Sequence, residues 1–180
     1  IKWVVGPGAT VFDLLRVIAA LEMLRSTPEG ERIYQELIRS DKVYTITVFD
    51  SSKSSYNRGS FFDPESGNIR VDLADLDQVY LAEDGVWYRY SLMRVLAHEL
   101  GHVFINWRTH RPEETEPLVI KEFENAIMRQ FGDRRDRRGH CKSPIRVSRW
   151  WSQDPTNWGG TWGGGRRFLP EDANMYGGSF

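Results

Sequence analysis

The pentapeptide His98-Glu99-Leu100-Gly101-His102 contains the residues of this sequence that are best suited to chemistry. Its two histidines are four residues apart, so on a helix their imidazoles project from one face, about one turn apart. That separation lets one nitrogen of each ring reach the same tetrahedral zinc ion at roughly 2.0–2.1 Å. The spacing therefore predicts that His98 and His102 are metal ligands.

Glu99 follows the first histidine directly and is too close to it to ligate the same ion comfortably. Its carboxylate is better placed to hold a water molecule beside the metal and to take the proton of that water. We therefore expect Glu99 to act first as general base and then as general acid in a hydrolysis. A purely structural zinc site has no use for such a carboxylate, so Glu99 favours an enzyme.

The pentapeptide lies in a segment that is apolar on both sides, which predicts a buried helix from near residue 91 to about residue 107. Burying three ionisable side chains is costly unless they have partners, and a bound metal removes that cost. The apolar positions are Leu92, Met93, Leu96, Ala97, Leu100, Val103 and Phe104.

A catalytic zinc ion takes three protein ligands and keeps one open position. The metzincin pattern needs a glycine three residues and a histidine six residues after His102, and neither is present. His110 would reach the metal only if the chain turned sharply. The better candidates, Glu122 and Glu124, lie on the next predicted helix, about residues 117–131. Glu122 follows His102 by about the distance found in thermolysin-like enzymes.

The H-E-L-G-H motif is followed by E-N-A-I-x-R from Glu124 and by a Gly-Asp-x-x-x-Arg-Arg stretch that ends at His140. Over roughly residues 88–140 this pattern resembles the NleD-like zinc metallopeptidases of bacterial effectors. It is also similar to metallopeptidase domains at the C-termini of VgrG spike and Rhs toxins of type VI secretion systems. The resemblance implies that the glutamate of the E-N pair is the metal ligand, which favours Glu124 over Glu122.

Arg137 and His140 have the spacing R-x-x-H in a basic segment. If this segment folds over the metal, the two side chains could stabilise the oxyanion of a tetrahedral intermediate, a role that Arg, Tyr or His fills in related enzymes. The alternative is a solvated basic loop.

Helices, then strands, then helices predict a small α+β domain over residues 1–180, zincin-like, with a short antiparallel sheet and an active-site helix that carries the H-E-x-x-H motif. Residues 145–180 form a loop-like C-terminal region rich in tryptophan and glycine. Thr10 and Thr27 are expected N-caps, and Pro28 suits a first helical position. The other predicted elements are helices over 11–25 and from 27 to about 40, a strand over 43–49 and a hairpin of 59–62 with 69–73.

Composition excludes several classes of protein. The 24 basic and 25 acidic residues leave a net charge of −1, which gives no overall basic field for nucleic acid. The apolar runs are too short to span a bilayer, and a single cysteine, Cys141, excludes a disulfide scaffold. The chain starts at Ile1 without a signal segment, so we expect it to be part of a longer polypeptide.

Together these features predict a gluzincin-like zinc metallopeptidase that cleaves a protein or peptide substrate. We expect a strand, 43–49 or 69–73, to pair with the extended substrate. The resemblance implies a secreted effector or toxin domain, fused to a secretion-spike protein and delivered into the periplasm of a rival bacterium or into a host cell. Two alternatives remain: a zinc amidase that acts on cell-wall peptide, and a non-enzymatic, zinc-stabilised binding module.

Overall fold

The structure is a computed structural model that describes residues 1–55, 59–105, 112–139 and 145–146, without the side chains of 112–114 and 145–146. The chain opens with β1 (Lys2–Val5), α1 (Val11–Arg25), α2 (Pro28–Arg39) and β2 (Thr45–Phe49). Both helices begin where the sequence predicts. The Thr10 hydroxyl accepts a hydrogen bond from Asp13 N at 3.2 Å, and the Thr27 hydroxyl accepts one from Gly30 N at 3.0 Å. Local capping chemistry therefore decides where α1 and α2 start.

The first sheet has the order β1-β2-β4-β3, with β3 (Phe61–Asp63) and β4 (Asn68–Asp72) forming the predicted hairpin. β1 pairs with β2 and β2 with β4 in parallel, and only β3 is antiparallel to its neighbour. The prediction of an antiparallel sheet is thus wrong for this sheet. For β1 and β2 the physical reason is that α1 and α2 form a crossover that returns the chain to the same end of the sheet. β2 and β4 are parallel because the chain reverses direction twice between them, into β3 and then into β4.

The positions of these strands also correct the prediction about substrate pairing. β2 lies between β1 and β4, and β4 lies between β2 and β3, so both predicted substrate-binding strands already have a neighbour on each side. Within the described part of the chain, the outer edge of β3 has no paired strand. Among the described strands of this sheet, the edges that are open to an extended partner are therefore those of β1 and β3.

A smaller antiparallel sheet follows, with the order β6-β5-β7. A 3₁₀ turn (Leu73–Asp77) leads from β4 into the first strand of this sheet. Two of its three strands come directly before the helix that carries the H-E-x-x-H motif. Its strands are β5 (Gln78–Leu81), β6 (Trp87–Arg89) and β7 (Ile145–Arg146).

The motif helix is α3 (Leu92–Ile105), and it is buried along almost its whole length. A second helical run starts at Pro112, earlier than predicted. It consists of α4 (Pro112–Leu118), a π-helical segment (Val119–Glu124) and α5 (Asn125–Gln130). Pro117 has no backbone N–H to donate, and the N–H of Asn125 bonds to the carbonyl of Ile120, five residues back. The run is therefore continuous but widened in its middle.

The apolar core lies between the four-stranded sheet and the helices. Inner-strand side chains such as Ile46 and Val71 are fully buried, as are Leu96 on α3 and Ile127 on α5. The chain is thus a mixed α+β fold, as the sequence predicts. None of the helices in the described ranges is long and apolar enough to cross a bilayer.

Candidate metal centre

His98 and His102 project from the same face of α3, one turn apart. Their Nε2 atoms are 3.1 Å apart, and the two rings meet edge to face with centroids 4.7 Å apart. Glu116, on α4, places Oε1 3.1 Å from His102 Nε2 and Oε2 3.4 Å from His98 Nε2. One ligand atom from each of the three residues lies within 4.8 Å of the others. These separations suit a tetrahedral ion, whose ligand atoms are roughly 3.3 Å apart when each bond is about 2.0–2.1 Å.

Glu124 lies on the other side of His98. Its Oε2 is 2.9 Å from His98 Nδ1, and the same oxygen accepts a hydrogen bond from Arg137 Nη1 at 2.9 Å. Its Oε1 accepts a hydrogen bond from Arg94 Nη1, also at 2.9 Å. Both oxygens of this fully buried carboxylate are thus engaged away from the histidine Nε2 atoms.

The structure therefore brings Glu116 to the two Nε2 atoms, rather than Glu124 or Glu122. Glu122 is exposed on the outer face of the π-helical segment. Glu124 contacts the histidine through the opposite nitrogen, which is the position of a residue that orients a ligand.

One helical run supplies both glutamates because of the π-helical segment. In a regular α-helix, residues eight positions apart are rotated by roughly 80° from each other about the axis. A π turn contains more residues, so each residue contributes less rotation. The six residues from Val119 to Glu124 adopt this wider turn. Glu116 and Glu124 can consequently face the same histidine, one at each of its nitrogens.

Gly101 allows that run to approach α3 closely. A Cβ atom at this position would lie 3.0 Å from Phe123 Cβ and 3.0 Å from Val119 Cγ1. Since real Cβ atoms seldom make such short contacts, any larger residue would push the π-helical segment outward. The glycine of the H-E-L-G-H motif therefore controls how near the glutamates come to the histidines.

Glu99 is 5% exposed, and its Oε2 has no hydrogen-bond partner among the described residues. Burial raises the pKa of its carboxyl group to about 8. A buried carboxylate oxygen without a donor is costly, and such atoms concentrate where a ligand or reactant binds.

Burial would by itself raise the pKa of Glu116, but hydrogen bonds from His102 and His98 hold it far below the ordinary value. Burial would likewise lower the pKa of His98, but hydrogen bonds to Glu116 and Glu124 raise it to about 9. In the metal-free chain the cluster thus retains a proton between histidine and carboxylate, and a metal ion would take the place of that proton.

The cluster opens into a cleft of about 400 Å³. One wall carries the two aromatic residues at the start of β3, Phe61 and Phe62, and the floor carries the H-E-x-x-H side chains. The remaining lining residues are Gly59, Ser60, Asp75, Gln78, Val79, Tyr90, Val95, Glu116 and Arg137.

Arg137, predicted to act near the metal, does line this cleft. It is 5% exposed, and its guanidinium also donates to the carbonyl of Gly139 at 3.0 Å. The other predicted residue of the pair, His140, lies outside the described residues, as does His110. Of the Trp/Gly-rich region 145–180, only 145–146 are described.

Two further buried polar residues were not predicted from the sequence. Arg94, four residues before His98 on α3, is 1% exposed. The side-chain amide of Asn125 donates to the carbonyl of Arg137 at 2.9 Å and accepts from its N–H at 2.8 Å, which holds the 133–138 segment against α5. The one available signal for Arg94 was a charge within an otherwise apolar stretch on the same helical stripe as the two histidines.

No protein-family model, no curated protein and no solved structure matches this chain.

Proposed function

We propose that this domain is a zinc-dependent peptidase in which His98, His102 and Glu116 hold the metal and Glu99 handles the proton. One observation carries the proposal. The buried Glu99 has an oxygen without a hydrogen-bond donor among the described residues, and it borders the same cleft as the three grouped ligand atoms. The carboxyl group of Glu99, the two imidazoles and the carboxylate of Glu116 share one accessible cleft, and these are the groups that a metal-assisted hydrolysis requires.

A bound zinc ion supplies a Lewis acid that polarises the scissile carbonyl and makes water a better nucleophile at neutral pH. Glu99 accepts one proton from the attacking water as the carbon–oxygen bond forms. It then gives that proton to the amide nitrogen as the carbon–nitrogen bond breaks, so the amine leaves neutral and the carboxylate is regenerated. Its location inside the cleft wall, away from bulk solvent, keeps the proton available for the second transfer.

The open edge of β3 supports a peptide as the substrate. Phe61 and Phe62 of this strand line the cleft, and the only described strand that pairs with β3 is β4, on its far side. An extended peptide can add to such an edge through main-chain hydrogen bonds, while its side chains enter adjacent pockets. Main-chain recognition of this kind brings a peptide bond alongside the metal ligands.

Arg137 supports the same chemistry through its charge. Its guanidinium stays positive, and it lines the cleft that contains the metal ligands. A fixed positive charge that lines the cleft favours the oxyanion that develops during attack on a carbonyl.

The resemblance noted in the sequence motivates a biological proposal: the peptidase is an effector or toxin domain carried by a secretion-spike protein into a target cell. Expression in a bacterium with and without an added export signal tests it. Toxicity in at least one compartment that disappears in Glu99→Ala supports this role, whereas harmless expression of metal-loaded protein in both contradicts an antibacterial role.

The peptidase activity is tested by incubating the zinc-loaded domain with a proteome-derived peptide library and identifying new N-termini by mass spectrometry. Glu99→Gln keeps the volume of the side chain but cannot take a proton, so we expect it to bind zinc and to cleave nothing. Glu83→Gln, the same change at an exposed site, is the matched control and should cleave like the wild type. Cleavage by Glu99→Gln, or no cleavage by the zinc-loaded wild type, would refute the proposal.

A further inference from the structure

The carboxylate of Glu124 is fixed from two sides by buried arginines. Arg94 binds its Oε1 and Arg137 binds its Oε2, each at 2.9 Å, and all three side chains are 5% exposed or less. Since each oxygen has its own guanidinium, rotating the carboxylate would break a charge-assisted hydrogen bond. Glu124 is therefore held in one orientation.

That orientation determines which nitrogen of His98 carries a proton. The ionised carboxylate can only accept, and its Oε2 lies 2.9 Å from Nδ1, so Nδ1 must carry the hydrogen. Arg137 Nη1 is also 3.4 Å from Nδ1, but both atoms are donors, and both direct their hydrogens to the shared Oε2. In the neutral ring that metal binding would require, the single proton lies on Nδ1, so the lone pair of Nε2 faces His102 and Glu116.

The two arginines are themselves rigidly held. The guanidinium of Arg94 also donates to Asn125 Oδ1 at 3.2 Å and to the carbonyl of Arg135 at 3.0 Å, and it lies 4.4 Å from the centre of the Tyr80 ring. Arg137 is anchored through the carbonyl of Gly139 and through the paired hydrogen bonds between its backbone and Asn125. Each arginine is thus held by several contacts in addition to its hydrogen bond with Glu124.

We propose that Arg94 and Arg137 are positioning residues of the metal centre, which act through Glu124 to keep Nε2 of His98 aimed at the metal. Neither arginine is a ligand, and neither needs to contact the substrate for this role. The inference rests on the proposed metal site, but it does not depend on which bond is cleaved. Loss of the fixed orientation of His98 would weaken metal binding even if no peptide were hydrolysed.

The test measures Zn²⁺ affinity by competition with a chromophoric chelator, and records the visible spectrum of the Co²⁺-substituted protein as a report on ligand geometry. We expect Arg94→Met and Arg137→Met each to weaken Zn²⁺ binding by about 10–100-fold and to alter the Co²⁺ spectrum. Arg94→Lys retains a donor and should recover part of the loss. Arg89→Met is the matched control, because Arg89 is a similarly buried arginine that pairs with Asp77 instead. The Zn²⁺ affinity of this variant should stay within twofold of the wild-type value.

A double-substitution cycle separates this role from a general structural one. If Arg137 acts through Glu124, then Arg137→Met should cost little further affinity in a Glu124→Gln background. Full additivity would overturn the inference, and so would unchanged Zn²⁺ affinity in folded Arg94→Met and Arg137→Met. Should Arg94→Met fail to fold, as judged by circular dichroism, Arg94→Lys and Arg137→Met decide the question.

The outcomes also distinguish this inference from the proposed function. Wild-type protein that binds Zn²⁺ without cleaving peptides refutes the peptidase but leaves the affinity comparison intact. Wild-type protein that binds no Zn²⁺ refutes the metal site and this inference together.

Discussion

The ring of His98 meets a glutamate at each of its two nitrogens, yet the surroundings of the two nitrogens differ. On the Nδ1 side, Glu124 is fully buried and both of its oxygens bind arginines. On the Nε2 side, the side chains of Glu116 and His102 are 32% and 20% exposed, and the nearby Glu99 has an oxygen without a donor among the described residues. The same pair of side-chain types thus occurs in a closed network and in an open one.

This difference distinguishes the groups that hold His98 in place, on its Nδ1 side, from the groups that face the cleft, on its Nε2 side. In the closed network every acceptor has a fixed donor, so its groups have no remaining capacity for a ligand. In the open network the acceptors converge on a cleft, and the pairing there is of histidine with carboxylate, groups that can ligate one zinc ion together. Incomplete pairing, more than the identity of the residues, therefore indicates where a ligand binds.

Substitutions on the two sides of His98 should differ most in their effect on metal affinity. His102→Ala and Glu116→Ala each remove a proposed ligand, and we expect Zn²⁺ affinity to fall by on the order of 10²–10³-fold, since the roughly 10–16 kcal/mol of a high-affinity site is shared among its ligands. Glu124→Ala should cost about 10–100-fold. Chelator competition measures all three.

Glu122→Ala is the control for this series, because Glu122 is exposed two residues before Glu124. Its affinity should equal that of the wild type. A larger loss in Glu124→Ala or Glu122→Ala than in Glu116→Ala would return the third ligand to one of the glutamates predicted from the sequence.

The open network should also govern how the metal-free protein responds to pH. The pKa of Glu99 is raised to about 8 by burial, and that of His98 is raised to about 9 because its hydrogen bonds to Glu116 and Glu124 outweigh the effect of burial. Both groups therefore bind more protons in the folded chain than in the unfolded chain, and stability falls as pH rises. We expect the free energy of unfolding to drop by about 2–4 kcal/mol between pH 5 and pH 9.

Urea denaturation of chelator-treated protein measures this drop. The contribution of Glu99 is lost first, from its unfolded pKa upward, and that of His98 is lost from roughly pH 6.5 to about 9. Glu99→Gln should accordingly flatten the lower part of the curve and leave the upper part. Stability that increased with pH over this range would show that Glu99 and His98 do not bind extra protons in the folded chain.

Gly101 offers a way to displace both networks at once. Valine at this position introduces a Cβ only 3.0 Å from Phe123 Cβ and Val119 Cγ1, so we expect a loss of roughly 1–3 kcal/mol in unfolding free energy together with weaker Zn²⁺ binding. Gly101→Ala adds fewer atoms and gains helix propensity, so its loss should be smaller. Equal stability and affinity in the valine variant would mean that the helices can separate without disturbing the site.

The smallest change is expected at an ion pair that resembles the closed network but lies on the surface. Arg129 Nε binds both oxygens of Asp136, at 2.9 and 2.8 Å, in an exposed position. Arg129→Met should alter stability by about 0–1 kcal/mol, because solvent screens the pair, and should leave Zn²⁺ affinity unchanged. A loss as large as that of Arg137→Met would mean that burial does not explain the importance of the arginines beside Glu124.

The sequence predicts those parts of the fold that depend on nearby residues. Thr10 and Thr27 mark the starts of α1 and α2 because their hydroxyls cap the backbone a few residues away. The strand near residues 43–49 and the 61–72 hairpin follow from β-branched and aromatic runs around a turn. His98 and His102 come together because a helix fixes their spacing, which needs no knowledge of the rest of the chain.

What the sequence does not predict depends on contacts between distant segments. The parallel pairing of β1 with β2 follows from a helical crossover, and that of β2 with β4 from the passage of the chain through β3, not from any strand's own residues. Glu116 reaches the histidines because α4 starts before its predicted position and because the helical run widens after it. The spacing of thermolysin-like enzymes indicates Glu122 instead, and the family resemblance implies Glu124.

The π-helical segment interrupts the regular hydrogen bonding of the helical run, and the proposed metal site depends on that interruption. If the residues from Val119 to Glu124 adopted the ordinary α-helical conformation instead, regular helical hydrogen bonds would continue through the whole run. Glu116 and Glu124 would then lie eight positions apart on a regular helix, rotated by roughly 80° from each other, so one helix could no longer serve both nitrogens of His98. Selection for heat resistance alone should therefore favour a regular helix, and we expect variants obtained in that way to be more stable but to bind Zn²⁺ more weakly.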